Sequence, residues 1–295
     1  MSTTVEPSPP PAWEPLTPQG VAAFARASFG RLFLVQLIVA ALAAGVVVWF
    51  LDTAWFPVVR EAIRQMPPQG EIRGAQLGWP GNTPAQLAGN HFLGFAVDLT
   101  HSGTIAREAH VQIEFGRKDV RVFLLVHYWV LDYPDGWRIA FNRTELEPLW
   151  GAWEPGLLAI AAAAVIVGLM MTWAVLATVY CLPTWLITFF ENRDLNLRQS
   201  WRLSGAALMP GALFLTFGIF SYGLNLADLL QLAVLGGLHL VIGWVYLVLS
   251  PLFLPRNPAV AKAGRNPFAA KPPVETPDTK LQTPSSKSSR TSFDD

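Results

Sequence analysis

The chain has 295 residues, of which 52% are hydrophobic and only 14% are charged, and its formal net charge at pH 7 is zero. Soluble domains usually carry about 25% charged residues, so this chain is charge-poor. Without an excess of positive charge, nothing indicates a nucleic-acid partner. Because Cys181 is the single cysteine, a disulfide within the chain is excluded.

Four runs of the sequence contain no charged residue at all. They cover residues 32–51, 155–190, 203–227 and 229–255. A helix needs roughly 20 apolar residues to cross the ~30 Å hydrocarbon core of a bilayer, and each run meets that requirement. The sequence therefore predicts a membrane protein with several spans, and the lipid bilayer is one predicted partner.

In chain order, the sequence predicts eight segments. They are a disordered Pro-rich cytoplasmic N terminus (1–30), a first transmembrane helix (31–51), an extracytoplasmic β-rich domain (52–154), a second transmembrane helix (155–182), an interfacial or cytoplasmic connection with a short amphipathic helix (183–207), a third transmembrane helix (208–224), a fourth (229–254) and a disordered cytoplasmic tail (255–295). The two end segments are predicted to be disordered because they bury too little apolar surface to offset the entropy of ordering.

The segment 52–154 alternates between apolar and polar residues, unlike the membrane runs. A period of two is typical of half-buried antiparallel strands. A helix over about 54–65 should come first and end at the following prolines. The strands are expected at 93–99, 109–115, 120–126 and 137–141. The predicted fold class is thus a membrane α-helical protein with four transmembrane helices and a small extracytoplasmic α+β or mostly-β domain inserted between helices 1 and 2.

Four of the five histidines fall in this domain, at 91, 101, 110 and 127. On the 109–115 strand, His110 and Glu114 are predicted to share the exposed polar face, where imidazole and carboxylate could contribute zinc ligands. The HxH and HExxH spacings are missing, however, and an exposed strand face needs polar residues in any case. We therefore predict no metal site and no cofactor.

The second charge-free run is longer than one span requires. Pro183 is predicted to kink it, because proline removes a hydrogen bond from a helix interior. The span is then about 156–180, and residues 184–190 lie at the membrane interface. Trp185 is expected at the headgroup level, which tryptophan favours.

The connection after this run has the pattern of a capped amphipathic helix. Asn196 followed by Gln199 resembles a capping box. Trp201 and Arg202 would then anchor the helix on the inner membrane surface.

Basic residues in the short loops determine the predicted orientation. Lys and Arg are enriched in cytoplasmic loops, whereas long loops cross the membrane largely regardless of their charge. Two arginines precede the first span, three lie in 191–202, none lies in 223–228, and seven basic residues follow position 254. This predicts a multi-pass protein of the bacterial inner (plasma) membrane with both termini in the cytoplasm and 52–154 outside.

Three polar side chains fall within or at the edge of the predicted spans: Gln36, Gln231 and His239. Polar groups in a bilayer are costly, so proton or substrate handling is one hypothesis for them. Hydrogen bonding between packed helices is the other. A transporter usually carries several such residues together with paired broken helices, and neither is clear here.

One run carries a family resemblance. Residues 197–203 (LRQSWRL) lead into 207–210 (ALMP), after one span and an outer domain and before two further spans. This arrangement resembles a family of four-span bacterial membrane proteins with a domain of unknown function, whose Gram-positive members are labelled maltodextrin-utilisation proteins. It is also distantly similar to the Yip1-type membrane domain. The resemblance implies no established activity and carries over no catalytic residue.

Catalytic motifs are not found in the sequence. There is no GxSxG, P-loop, CxxC or GxGxxG pattern, so an enzyme is not expected. We expect a non-enzymatic integral membrane protein whose outer domain binds a partner protein, an envelope component or a small ligand. Two alternatives stay open: a transporter subunit or small-solute permease using Gln36, Gln231 and His239, and a membrane enzyme with an acid–base site at the outer surface. The sequence does not indicate an oligomeric state.

Overall fold

The computed structural model describes residues 13–124 and 127–256. The elements, in chain order, are α1 (Pro18–Phe24), α2 (Phe29–Phe50), a π-helical turn (Leu51–Trp55), α3 (Phe56–Gln65), β1 (Glu71–Arg73), β2 (Gln76–Gly78), β3 (Ala85–Gly89), β4 (Leu93–Val97), β5 (Val111–Phe115), β6 (Asp119–Leu124), β7 (His127–Asp132), β8 (Arg138–Ala140), α4 (Arg143–Phe190), α5 (Leu197–Ala207), α6 (Met209–Gly223), α7 (Leu229–Leu249) and a 3-10 turn (Ser250–Phe253).

Within these ranges, four helices are long and apolar enough to cross a membrane. They are Phe29–Gln65, Arg143–Phe190, Leu197–Gly223 and Leu229–Phe253. Each of these four helices begins at a polar cap, because the first N–H groups of a helix have no partner within it. Ser28, Asn142, Asn196 and Asp228 each accept a hydrogen bond from the backbone N–H three residues later. The capping box predicted at Asn196 and Gln199 is present, with both hydrogen bonds at 2.9 Å.

The N-terminal segment contains a short helix that was predicted to be disordered. Thr17 caps α1 by accepting from the Gly20 N–H at 3.0 Å, and Pro18 occupies its first turn. Val21 and Phe24 are fully buried, and α1 packs on α5. Apolar burial thus orders 18–24 despite the proline-rich sequence. The predicted disorder of 1–12 and of 257–295 falls outside the described residues.

Helix α4 is much longer than the predicted second span. It has 48 residues and continues through Pro148, Pro155 and Pro183. At ~1.5 Å per residue it is about 72 Å long, more than twice the thickness of a hydrocarbon core. The kink predicted at Pro183 and the interfacial position of 184–190 stay predictions; the helix continues through Pro183, and its next turns pack on α5. Thr184 is fully buried there, and its hydroxyl lies 2.8 Å from that of Ser204.

Two separate sheets lie between α3 and α4 in the chain. The three-stranded sheet has the order β2-β1-β8, and the five-stranded sheet has the order β3-β4-β5-β6-β7. Strands occur in all four predicted ranges, but β1, β2, β3 and β7 were not predicted. The pairing of β4 with β5 is parallel, contrary to the antiparallel expectation. The long connection between these two strands makes that crossover feasible.

The faces of β5 are the reverse of the prediction. Gln112 and Glu114 were expected on the exposed face, yet they are 1% and 2% exposed, whereas Val111 and Ile113 are only half-buried. Glu114 can turn inward because His101 meets its carboxylate there. Burial of a charged group is tolerated where it is paired and hydrogen-bonded.

Clusters of buried side chains hold these parts together. The sheets and α3 share a core that includes Ala62, Leu87 and Val97. The helices have their own core, which includes Phe24 and Trp173. A third cluster joins the sheets to the helices through Phe50, Ala54, Phe92 and Tyr222.

Candidate functional site

Strand β7 is the exposed edge of the five-stranded sheet. It pairs with β6 on one side, with Tyr128 opposite Phe123, and ends the sheet on the other. Four consecutive large apolar residues are about half exposed: Tyr128 48%, Trp129 50%, Val130 49% and Leu131 57%. Because successive side chains in a strand point to opposite faces, both faces of β7 are apolar and accessible.

An edge of this kind is unusual for a protein that stands alone. An unpaired row of N–H and C=O groups is a template for another strand, and edges are commonly protected by charge, proline or a bulge. The central residues of β7 carry none of these, and its two charged or titratable residues, His127 and Asp132, lie at the ends. Exposed apolar patches of this kind mark interaction surfaces.

Aromatic and cationic side chains stiffen the hairpin that carries β7. The Arg107 guanidinium lies 3.8 Å from the centre of the Phe123 ring, and Phe123 packs on Tyr128 with ring centres 5.4 Å apart. Arg121 lies 5.8 Å from the Tyr128 ring. Cation–π contacts of this type hold the rings in place without covering the outer edge of the strand.

Sequence patterning missed β7 for a physical reason. Period two reveals a strand only when one face is dry and the other is wet, and here both faces are exposed and apolar. Its aromatic and β-branched composition was the usable signal, since such residues are enriched in strands.

A buried polar network joins the segment after β4 to strands β5 and β6. The two ring nitrogens of His101 meet two carboxylates, that of Glu114 at the Nδ1 side and that of Asp119 at 2.8 Å from Nε2. Gly116 leaves room for the ring, because a Cβ at that position would overlap the His101 imidazole. His101 itself has a left-handed backbone, with φ of 52°.

The ionised forms of Asp119 and Asp98 are favoured in this region. Burial raises the pKa of Asp119, but the hydrogen bonds and charges of His101 and Arg121 outweigh it and leave that pKa below its ordinary value. Burial likewise raises the pKa of Asp98, and hydrogen bonds from Ser102 and Thr100 reverse the effect. With both nitrogens of His101 engaged, the network offers a fixed structural clamp rather than a free general base.

A second set of rings joins the sheets to helix α6. We call Phe50, His91, Phe92, His110 and Tyr222 the junction cluster. His110 Nδ1 lies 2.8 Å from the Tyr222 hydroxyl, and the His91 and His110 rings are 4.1 Å apart at their centres. Phe92 packs edge-on against both Tyr222 and Phe50, at 5.0 and 5.2 Å. His110 and Glu114 thus have different partners and do not form the pair considered for zinc.

The three predicted intramembrane polar residues lie apart from one another. Gln36 is buried and donates from Nε2 to the Gly205 carbonyl at 3.1 Å, which joins α2 to α5. Gln231 is exposed and completes a capping box with Asp228 at the start of α7. His239 turns its Nδ1 to the Gly236 carbonyl of its own helix.

The predicted interfacial anchors make contacts within the protein. Trp185 stacks on Phe189, with ring centres 5.9 Å apart. Trp201 donates from Nε1 to the Thr178 hydroxyl at 3.1 Å, which ties α5 to α4. Arg202 donates to the Ala27 carbonyl and lies 5.2 Å from the Phe29 ring. Trp201 and Arg202 therefore fasten α5 to its neighbours, and the α5 face with Leu203 and Ala207 is fully buried.

An apolar cavity of about 350 Å³ lies among α2, α4, α6 and α7. Trp173, Tyr180, Trp244 and His239 are its larger lining residues. Gly211 on α6 approaches the His239 carbonyl so closely that a Cβ would overlap it, so these two helices are in backbone contact beside the cavity. The lining is suited to hydrocarbon and offers few groups for a polar solute.

Asn142 begins the tripeptide Asn142-Arg143-Thr144, which fits the sequon for N-glycosylation. In the fold Asn142 is 7% exposed; it accepts from the Glu145 N–H at 3.0 Å as the cap of α4 and donates to the Gly70 carbonyl at 3.0 Å. Over residues 13–124 and 127–256, no group of three His, Cys, Asp or Glu side chains is arranged to hold a metal ion.

Comparison of the chain with protein-family models, with curated proteins and with solved structures finds no match. The resemblance to the maltodextrin-utilisation-protein-like family stays a prediction from residues 197–210.

Proposed function

We propose that this chain is a multi-pass protein of a bacterial inner membrane whose outer domain binds an extended segment of a partner protein along β7. The partner would add a strand to the five-stranded sheet, with its backbone on the free edge and its side chains against Tyr128, Trp129 and Leu131. Strand addition of this kind obtains affinity from main-chain hydrogen bonds and specificity from side-chain contacts.

The observation that carries the proposal is the two-sided apolar exposure of β7. Burying large aromatic and aliphatic side chains gives roughly 25 cal/mol per Å² of apolar surface. Aromatic anchors also dominate the binding energy of typical interfaces. A partner strand that covered both faces of β7 would therefore gain from the ladder and from the side chains together.

The proposed membrane placement rests on the surfaces of the helices. In the most apolar window of α4 only 6% of the residues are buried within the protein, and in that of α7 only 11%. The exposed residues there include Val167, Met171 and Val175. Such faces suit hydrocarbon, and the basic loops favour cytoplasmic termini.

The permease alternative has less support. Gln36 hydrogen-bonds to Gly205 and Gln231 to Asp228, in different parts of the helical region. The ring of His239 hydrogen-bonds to a carbonyl of its own helix. A solute pathway requires polar groups that converge on one cavity. The cavity beside His239 is apolar, so we retain the binding function.

Introducing charges on β7 of the full-length protein in its native membranes tests the proposal. The variant Trp129→Glu/Leu131→Lys should lose a co-purifying protein that the wild type retains after crosslinking. The matched control, Leu226→Glu, alters a 74% exposed leucine in the α6–α7 turn and should retain that protein. Equal recovery from the variant and the wild type would rule out β7 as the binding strand.

Orientation is tested independently in the Cys181→Ala background. A single cysteine at position 137 should react with a membrane-impermeant maleimide in intact spheroplasts, because Trp137 is 66% exposed in the outer domain. A cysteine at Arg198 should react only after permeabilisation. The reverse pattern would overturn the proposed topology and leave the binding role of β7 to the first experiment.

A further inference from the structure

We propose that the junction cluster is an acid-sensitive latch, in which protonation of His110 beside His91 releases the sheets from helix α6. Near neutral pH the latch is closed. This inference is independent of what β7 binds. Only the exposure of the latch to the external medium rests on the orientation proposed above.

The geometry of His91 and His110 supports a closed state in which the His110 ring is neutral. Their ring centres are 4.1 Å apart, and two imidazolium charges at that distance would repel each other. His110 Nδ1 is 2.8 Å from the Tyr222 hydroxyl, which can donate to it when that nitrogen carries no proton. Phe92, at an edge-on distance from Tyr222, closes the same space with an apolar ring.

Titratable side chains near His110 come from three other elements and from its own loop. His91 approaches from the β3–β4 loop, Tyr222 from α6, and Asp228 from the start of α7. Burial lowers the pKa of His110, His91 lowers it further, and Asp228 opposes both. Asp228 is engaged elsewhere, since its carboxylate accepts from the Gln231 N–H at 2.7 Å. Glu108, two residues before His110, lines a cavity of about 340 Å³ together with His91 and is open to solvent.

The direction of the pH effect follows from proton linkage. The pKa of His110 in the closed latch lies below the ~6.5 of an ordinary histidine. Between those two values the open state binds more protons than the closed state, so the closed state loses stability as the pH falls. The closed state is therefore fully favoured above about pH 6.5, and the loss is complete once the pH is below the pKa in the closed latch.

The latch is placed to transmit its state to the sheet. His110 immediately precedes β5, and Phe92 immediately precedes β4, the two parallel central strands. The His110 N–H donates to the His91 carbonyl at 2.9 Å, and the Val111 N–H donates to the Phe92 carbonyl at 3.0 Å. Asn90 holds the same corner to the π-helical turn through the Ala54 carbonyl at 2.6 Å.

Distance measurement on the full-length protein in lipid nanodiscs tests the latch. Spin labels would be attached at Trp137→Cys and Leu226→Cys in the Cys181→Ala background, on the sheet side and the helix side of the junction. We expect the distance distribution to lengthen and broaden between pH 8 and pH 5, with a midpoint below about 6.5. The variant His110→Gln, which can still bond to Tyr222 but cannot titrate, should lose that change.

Two further variants make the test decisive. His127→Gln removes an exposed histidine of β7 outside the junction cluster and should retain the full change. The double variant His91→Gln/His110→Gln should match the wild type at pH 8 and stay unchanged at pH 5. The latch is refuted if the wild-type distance is constant over this range, or if the double variant changes as the wild type does.

Discussion

Strands β4 and β7 belong to one sheet and have similar lengths, yet their surroundings are opposite. In β4, Leu93, Ala96 and Val97 are at most 1% exposed, because α3 and two neighbouring strands cover it. In β7, every residue is exposed and one neighbour covers one edge. The apolar content of β4 is explained by the fold of this chain, whereas that of β7 is not, and the proposed partner strand would account for it. The predictions below test this difference.

The largest expected contrast is between a leucine on each strand. Leu93→Ala should lower the free energy of unfolding of the sheet region by about 2–5 kcal/mol, the usual cost of a cavity in a core. Leu131→Ala should change it by less than about 0.5 kcal/mol, as for an exposed residue. Thermal unfolding of both full-length variants in the same detergent gives the comparison. Equal destabilisation would mean that β7 is packed within the chain.

Substitution beside the polar network around His101 should lower stability nearly as much as substitution in β4. Gly116→Ala would force a methyl group into the His101 ring, which two carboxylates hold in place, and overpacking typically costs about 1–3 kcal/mol. Gly151→Ala is the matched control, because a Cβ there meets open space on α4. Limited proteolysis should reveal faster cleavage within the sheet region only for Gly116→Ala. Intact His101 packing in Gly116→Ala would contradict the clamp.

A similar contrast within the helices separates a packed amide from a capping amide. Gln36→Leu removes the bond to the Gly205 carbonyl and should cost about 0.5–1.5 kcal/mol in helix packing. If instead Gln36 served a solute pathway, the variant would abolish uptake while melting at the wild-type temperature. Gln231→Ala, at an exposed cap, should have the smaller effect on melting.

The smallest expected effect is the change of stability with acid that comes from Asp98 and Asp119. The pKa values of Asp98 and Asp119 are below their ordinary value in the folded domain, so their contribution to stability is complete above about pH 4. It is lost as the pH falls through the folded pKa values. The midpoint of denaturant unfolding should therefore decrease at low pH, and Asp119→Asn should reduce that decrease. If Asp119→Asn lost as much stability at low pH as the wild type, Asp119 would not be a source of the acid response.

Sequence patterning located the helices and several strands but not the exposed edge strand β7. Charge-free runs predict spans directly because charge is excluded from hydrocarbon, and the caps at Asn196 and Asp228 depend on local sequence alone. The inward face of β5 depends on His101, a residue that comes from a distant turn. Helix α4 continues through Pro183, and α5 packs against the turns around it. Tertiary contacts decided both features, and no local pattern encodes them.

Hydrogen exchange of the β7 amides tests the central claim most directly. Exchange over residues 127–132 should be measured on the full-length protein in native membrane vesicles and again after purification. If a partner strand completes the sheet, exchange in vesicles should be at least about tenfold slower, because added ladder hydrogen bonds protect the edge. Equal exchange rates in both preparations, with β4 protected in each, would contradict the account.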